Sequence, residues 1–133
     1  MNLFYYAPRP GEKGDELLCS ARSLVRPGSL EVFEKLDKFA ERMRRLKDPL
    51  SVAMIIKPSR KDLQSLAEMR DFMRETRVLL VLSDQKRETI SLALRVFPTF
   101  VAYSGEDLPG LLSVLRQLTK IQNQDAFVSS DTS

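Results

Sequence analysis

Short apolar runs of strand length alternate five times with stretches whose apolar residues recur at helical spacing, and no other feature restricts the fold as much. The runs are Leu3 to Ala7, Leu30 to Phe33, Leu50 to Ile56, Val78 to Leu82 and Thr99 to Tyr103. Three of them are nearly all apolar, as strands buried on both faces of a parallel sheet must be. The run at Leu30 is short and carries Glu31, which places it at a sheet edge. Strict strand–helix alternation implies parallel strands joined by right-handed crossovers, with helices on both faces. Five such units predict an α/β, doubly wound, flavodoxin-like three-layer sandwich with strand order 2-1-3-4-5.

The helical stripes between the runs are Leu17, Leu18, Ala21, Leu24 and Val25; Leu36, Phe39, Ala40, Met43 and Leu46; and Leu63, Leu66, Ala67, Met69 and Met73. Two more follow, at Ile90, Ala93, Leu94 and Phe97 and at Leu108, Leu111, Leu112, Leu115 and Leu118. Punctuation agrees with these limits. Pro27-Gly28 closes the first helix, Pro49 precedes the third strand and Pro58 follows it. Ser59 or Asp62 is placed to cap the third helix, and Asp84 with Glu88 suits the start of the fourth. Pro109 belongs in the first turn of the fifth helix, where its missing N–H does no harm.

With 133 residues the chain has room for one core, large enough to need no disulfide or metal staple. Residues 1–122 are expected to form that domain, and 123–133, polar and without period, a disordered tail. No apolar stretch approaches the roughly 20 residues needed to span a bilayer. Met1 leads straight into Leu3-Phe4-Tyr5-Tyr6 without a basic n-region or cleavage motif, so the expectation is a cytoplasmic protein with no membrane contact.

The absence of histidine removes Ser-His-Asp chemistry and argues against zinc catalysis. It also leaves Cys19 without an activating base, so that cysteine reads as a small packing residue. Gly11-Glu-Lys-Gly14 fits neither dinucleotide nor P-loop spacing. The net charge of +3 lacks the dense basic stripe of a nucleic-acid binder, so nucleic acid is not an expected partner.

The stretch Val78-Leu-Leu-Val-Leu-Ser83-Asp84, then Glu88-Thr89-Ile90-Ser91-Leu92-Ala93-Leu94, Phe100-Val-Ala-Tyr103 and Asp107-Leu108 resembles the second half of a two-component response-regulator receiver (CheY-like) domain. The first half resembles it in element order and length, so the likeness covers roughly residues 1–122 and is one of architecture more than of signature. The resemblance implies an acidic pair at the end of the first strand that holds magnesium. It also implies an acceptor Asp at the end of the third strand, a switch Ser or Thr after the fourth, and a Lys after the fifth. This chain departs from that set. It has Tyr6-Ala7-Pro8-Arg9 at the first place, Lys57 at the second, Ser83 at the third and Tyr103, followed by Ser104, at the fourth. Phosphoryl transfer to a carboxylate needs the nucleophile and a cation to neutralise charge on the transferring group. Neither lysine nor arginine can supply the hard oxygen ligand that magnesium requires. Asp15 and Glu16, a loop away from the first strand, and Asp84 after Ser83 are the acids that could rebuild a metal site, against their plainer use as caps and solvated charges. The resemblance therefore implies a degenerate receiver, or pseudo-receiver, that is not phosphorylated, is not an enzyme, uses neither metal nor cofactor, and acts by protein–protein interaction.

Three groups of residues are candidates for binding. Arg9, Lys57 and Arg60 belong near the carboxyl edge of the sheet, where open α/β folds take ligands, and would form an anion or nucleotide site if they are more than solvated loop cations. Arg42, Arg44, Arg45 and Lys47 gather at the end of the second helix. There they suit an acidic partner or simply the helix dipole. Receivers pair through the face of the fourth helix, fifth strand and fifth helix. In this chain that face would carry Arg87, Arg95, Tyr103, Glu106, Arg116 and Lys120, a candidate homodimer interface or an ordinary charged surface.

Overall fold

The computed structural model describes residues 2–8, 12–25, 28–45, 51–73, 75–103 and 109–118, with the backbone alone for 12–16. Strands β1 (Asn2–Tyr6), β2 (Leu30–Phe33), β3 (Ser51–Ile56), β4 (Thr76–Leu82) and β5 (Phe100–Tyr103) form one parallel sheet in the order β2-β1-β3-β4-β5. Helices α1 (Glu12–Leu24), α2 (Leu36–Arg44), α3 (Arg60–Glu68), α4 (Arg87–Leu94) and α5 (109–118) alternate with them. The predicted class, strand order and edge position of β2 are all present.

The near-continuous apolar runs are explained by a core on each face of the sheet. Alternate residues of one strand point to opposite faces. Thus Leu3, Tyr5, Val52, Met54 and Leu79 meet Leu17 and Ala21 of α1 and Leu111 and Leu115 of α5. Phe4, Tyr6, Ala53, Ile55 and Leu80 meet Phe39 and Met43 of α2, Leu63 and Leu66 of α3, and Ala93 on the α4 side. Every residue of β3 is buried, as the central position requires. Each large side chain taken fully out of water contributes about 1.5–3 kcal/mol, so this double core is what holds the layers together. Among the described residues no helix is long and apolar enough to cross a membrane.

Several expectations shift. β4 begins at Thr76, ahead of Val78, because Ser51 and Thr76 pair across β3 and β4 and satisfy each other's buried hydroxyls at 2.9 Å. The third stripe is not one helix. α3 stops at Glu68, and Met69–Met73 continues as a 3₁₀ turn that keeps Met69 and Met73 buried but turns Phe72 outward. The fourth stripe is corrected too: α4 buries Thr89 and Ala93, with Val96 beyond its end, and leaves Leu94 59% and Phe97 71% exposed. The helix ends at Leu94 and Phe97 turns left-handed at φ +52°, so helical spacing no longer carries Phe97 inward. Arg70 holds this turn: its guanidinium donates to the carbonyls of Met73 and Phe97, and burial lowers its pKa. Cys19 is exposed on α1 and so does not pack as expected. Gly28, at φ +87°, makes the turn into β2 that a side chain would strain. Pro27, Pro49, Leu46 and the 123–133 tail lie outside the described residues, whereas Pro109 is the first described residue of α5.

Candidate functional site

The carboxyl edge of the sheet gathers the ends of β1, β3 and β4 with the first turns of α3 and α4. Each strand ends where its apolar run meets a polar turn. Lys57 terminates β3 by donating its N–H to the Val81 carbonyl at 2.7 Å and turning left-handed at φ +48°, a conformation that costs a side-chain-bearing residue about 1–2 kcal/mol. Pro58 is buried and Ser59 opens α3. Ser59 and Asp62 together, rather than either alone, make a reciprocal capping box. The Asp62 N–H donates to Ser59 Oγ at 3.0 Å, and the Ser59 N–H donates to Asp62 Oδ2 at 3.2 Å.

That cap reaches the first strand. Because β1 and β3 are neighbours, Asp62 arrives beside Tyr6, whose hydroxyl donates to Asp62 Oδ2 at 3.2 Å. The Tyr6 ring is buried and packs on Phe39 with centroids 5.6 Å apart. Burial first, then the negative charge of Asp62 and the hydrogen bond to it, push the Tyr6 pKa far above its usual value. The sequence reading placed Tyr6 at the end of β1 without a partner. The signal that could have found one is Ser59-x-x-Asp62, since a capping box fixes where its acid stands relative to the adjacent strand.

On the other side of the edge, Ser83 is exposed, and Asp84 carries the turn into α4. The Lys86 N–H donates to Asp84 Oδ1 at 2.9 Å. That bond, with another from the Thr89 hydroxyl and the nearby charges of Lys86 and Arg60, lowers the Asp84 pKa. The N-cap of α4 is Lys86, with no side-chain cap, and Glu88 sits in its first turn as expected. Arg60 and Glu88 form an ion pair at 2.8 Å between α3 and α4. The edge is therefore of mixed charge: Lys57, Arg60 and Lys86 stand among Asp62, Asp84 and Glu88. Arg9, the third member of the candidate anion group, lies outside the described residues.

A receiver-type magnesium site does not fit these residues. Tyr6 and the buried methyl of Ala7 end β1, Lys57 ends β3, and Asp62 is committed to a cap and a phenol. Among the described residues no three His, Cys, Asp or Glu side chains stand together as a metal-binding group.

The other candidates are dispersed or partly described. Arg42 pairs with Glu31 at 3.0 Å and lies over the Phe4 ring, 5.0 Å from its centroid. Arg45 pairs with Glu41 one turn back, and Arg44 lies over the Phe72 ring at 5.5 Å. The basic end of α2 is thus three separate contacts rather than one patch, and Lys47 is outside the described residues. On the α4–β5–α5 face, Arg87, Arg95 and Arg116 are exposed and Tyr103 is half-buried; Glu106 and Lys120, which complete its charge pattern, lie outside the described residues.

No family model and no curated protein matches the chain. Two solved structures share its fold. A protein of Burkholderia pseudomallei described as pilus assembly-related superposes with a TM-score of 0.68 over 90% of this chain and 90% of its own, at 14% identity. A CheY-like response regulator protein of Mesorhizobium loti does so with a TM-score of 0.65 over 88% of this chain and 97% of its own, at 12% identity. At these identities the likeness establishes a receiver-like, flavodoxin-type fold.

Proposed function

We propose that the chain is a pseudo-receiver: a receiver-like signalling module that works by binding another protein and is not itself phosphorylated. The observation that carries this reading is the Tyr6–Asp62 hydrogen bond. At the end of β1, where the family resemblance calls for an acidic pair, stands a buried phenol that donates to the capping carboxylate of Asp62. Lys57, in the acceptor position, has no carboxylate to phosphorylate and sits on the turn that ends the central strand.

Partner binding fits the α4–β5–α5 face. Arg87, Arg95 and Arg116 are exposed on it, with the exposed Leu94 as an apolar anchor, a combination that suits an acidic surface. The rival reading, an anion or nucleotide site at Arg9, Lys57 and Arg60, draws less support because Arg60 is held by Glu88 and Asp84 stands close by.

The test is to incubate the protein with magnesium and acetyl phosphate, or with beryllofluoride, and record intact mass and the amide spectrum. Neither should change, and Lys57→Asp should not gain a phosphoryl adduct, since the end of β1 still offers no acid pair. A covalent phosphate on the wild-type chain, or beryllofluoride-dependent shifts at the carboxyl edge, would overturn the reading.

A further inference from the structure

Between α2 and the α3–3₁₀ segment, in the same helical layer as α4, runs an open groove of about 450 Å³. Leu36 and Ala40 of α2 and Met69 of the 3₁₀ turn line it, and Phe72 stands at its rim with 54% of its surface exposed. A phenylalanine this exposed beside an apolar trough is a larger departure from an ordinary surface than scattered single apolar residues. Sequence reading passed over Phe72 because it falls off the stripe of Met69 and Met73.

Three charged residues line this groove, Glu68 on the α3 wall and two on α2 that stand at opposite ends of that helix. Asp37 lies in the first turn of α2 and Arg44 in its last, on the same side as Leu36 and Ala40, since all four line the groove. Asp37 and Arg44 are seven residues apart, roughly 10 Å along a helix, with the small side chain of Ala40 close to the midpoint. One helix face that is acidic at one end, basic at the other and small in the middle is complementary to itself when turned end for end. A two-fold axis beside Ala40 sets α2 antiparallel to α2 of a second copy. Each Asp37 then faces the Arg44 of the other copy, and the two backbones can approach closely at Ala40. Phe72 lies near Arg44, their ring-to-guanidinium distance being 5.5 Å, so the same operation carries each Phe72 toward Leu36 in the other copy's groove. A two-fold interface requires each contact to occur twice, and this face meets that requirement with both its charges and its apolar anchor.

We infer that the α2–α3 groove is a self-association surface on which two copies of this chain pack antiparallel through α2, with Asp37–Arg44 pairs at both ends and Phe72 covering the partner's groove. A contact confined to one short helix and the adjacent turn is expected to give a weak dimer that exchanges with monomer, below the roughly 800 Å² per partner of a standard stable interface. The inference does not depend on whether the chain is phosphorylated.

Sedimentation velocity over a concentration series tests it. The wild-type chain should move from monomer to dimer as concentration rises, less readily at high salt. Arg44→Glu and Asp37→Lys should each weaken dimerisation about tenfold or more, because the two-fold axis turns two attractions into two repulsions. The double variant Asp37→Lys/Arg44→Glu restores opposite charges across the axis and should recover dimerisation to within about threefold of wild type. Phe72→Ser should weaken it with no change in the charge dependence. The three altered positions, Asp37, Arg44 and Phe72, are all exposed, and thermal melting verifies that each variant is folded. A wild-type chain that stays monomeric at millimolar concentration overturns the inference. So does a dimer indifferent to the single reversals, or a double variant no better than the singles.

Discussion

Replacing Tyr6 by Phe tests whether its hydroxyl acts as argued. The substitution keeps the buried ring on Phe39 and removes only the bond to Asp62. At 3.2 Å that bond is longer than the usual hydroxyl–oxygen distance, so its loss should cost about 1 kcal/mol at neutral pH, the middle of the range for one hydrogen bond. The alkaline limb is more diagnostic. Tyr6 is held protonated in the folded chain well above the value of about 10 that it has when unfolded. Between those two values the native state binds more protons than the unfolded state, so stability falls as pH rises. The contribution is complete below about pH 10. One unit higher, near pH 11, roughly 1.4 kcal/mol of it is gone, and the loss continues until the folded group itself ionises. Tyr6→Phe has no such limb. The wild type should therefore lead by about 1 kcal/mol at pH 7 to 9, with the two curves meeting near pH 11. Urea unfolding followed by far-ultraviolet circular dichroism at four pH values measures this. Every other ionisable group is common to both proteins and cancels in the difference. A difference that stays constant with pH would refute both the protonated phenol and its burial against Asp62.

Two further outcomes follow from the backbone. Phe97 is largely exposed at φ +52°, so Phe97→Gly should raise stability by about 0.5–1 kcal/mol in urea unfolding, since strain is relieved and little burial is lost. Ser59→Ala removes the hydroxyl half of the capping box on α3 and should lower stability by about 1 kcal/mol in the same assay.

What could be read from the sequence was whatever repeats with a period. Alternating Leu3 and Phe4, or Val52 and Ala53, look like one apolar run because both faces of the sheet are covered; that run fixed the parallel sheet, its order and the edge position of Glu31. Periodicity failed where the backbone stops being regular. Phe97 was assigned inward by helical spacing, but a left-handed turn after Leu94 exposes it, and Val96 takes the buried place. Phe72 lies off the third stripe and is exposed accordingly, but its place beside the α2 groove follows from the 3₁₀ turn that ends α3. At the site, the departures at Tyr6 and Lys57 were visible as residue types. The meeting of Tyr6 with Asp62 was not, because 56 residues separate them and only the adjacency of β1 and β3 brings them together.

The first turns of α3 and α4 point to the carboxyl edge, where their unpaired N–H groups and dipoles favour negative charge. A receiver-like protein with a metal site keeps its acids free at this edge for the cation. Here the acids of the α3 and α4 turns are already engaged. Asp62 serves the Ser59 N–H and the Tyr6 hydroxyl, Asp84 serves the Lys86 N–H and Thr89, and Glu88 serves Arg60. A divalent cation would have to strip away these partners, give up most of its own water, and sit beside Lys57 and Arg60. Each of those steps is unfavourable, and the oxygens it gained could not take up near-octahedral geometry without unwinding the α3 cap. Among the described residues, the acids of the α3 and α4 first turns are thus held by caps and an ion pair, while Arg9 and the side chains of Asp15 and Glu16 lie outside the described residues. The exposed Arg87, Leu94 and Arg95 around α4, and the exposed Asp37, Arg44 and Phe72 along the α2 groove, close neither a strand end nor the α3 cap.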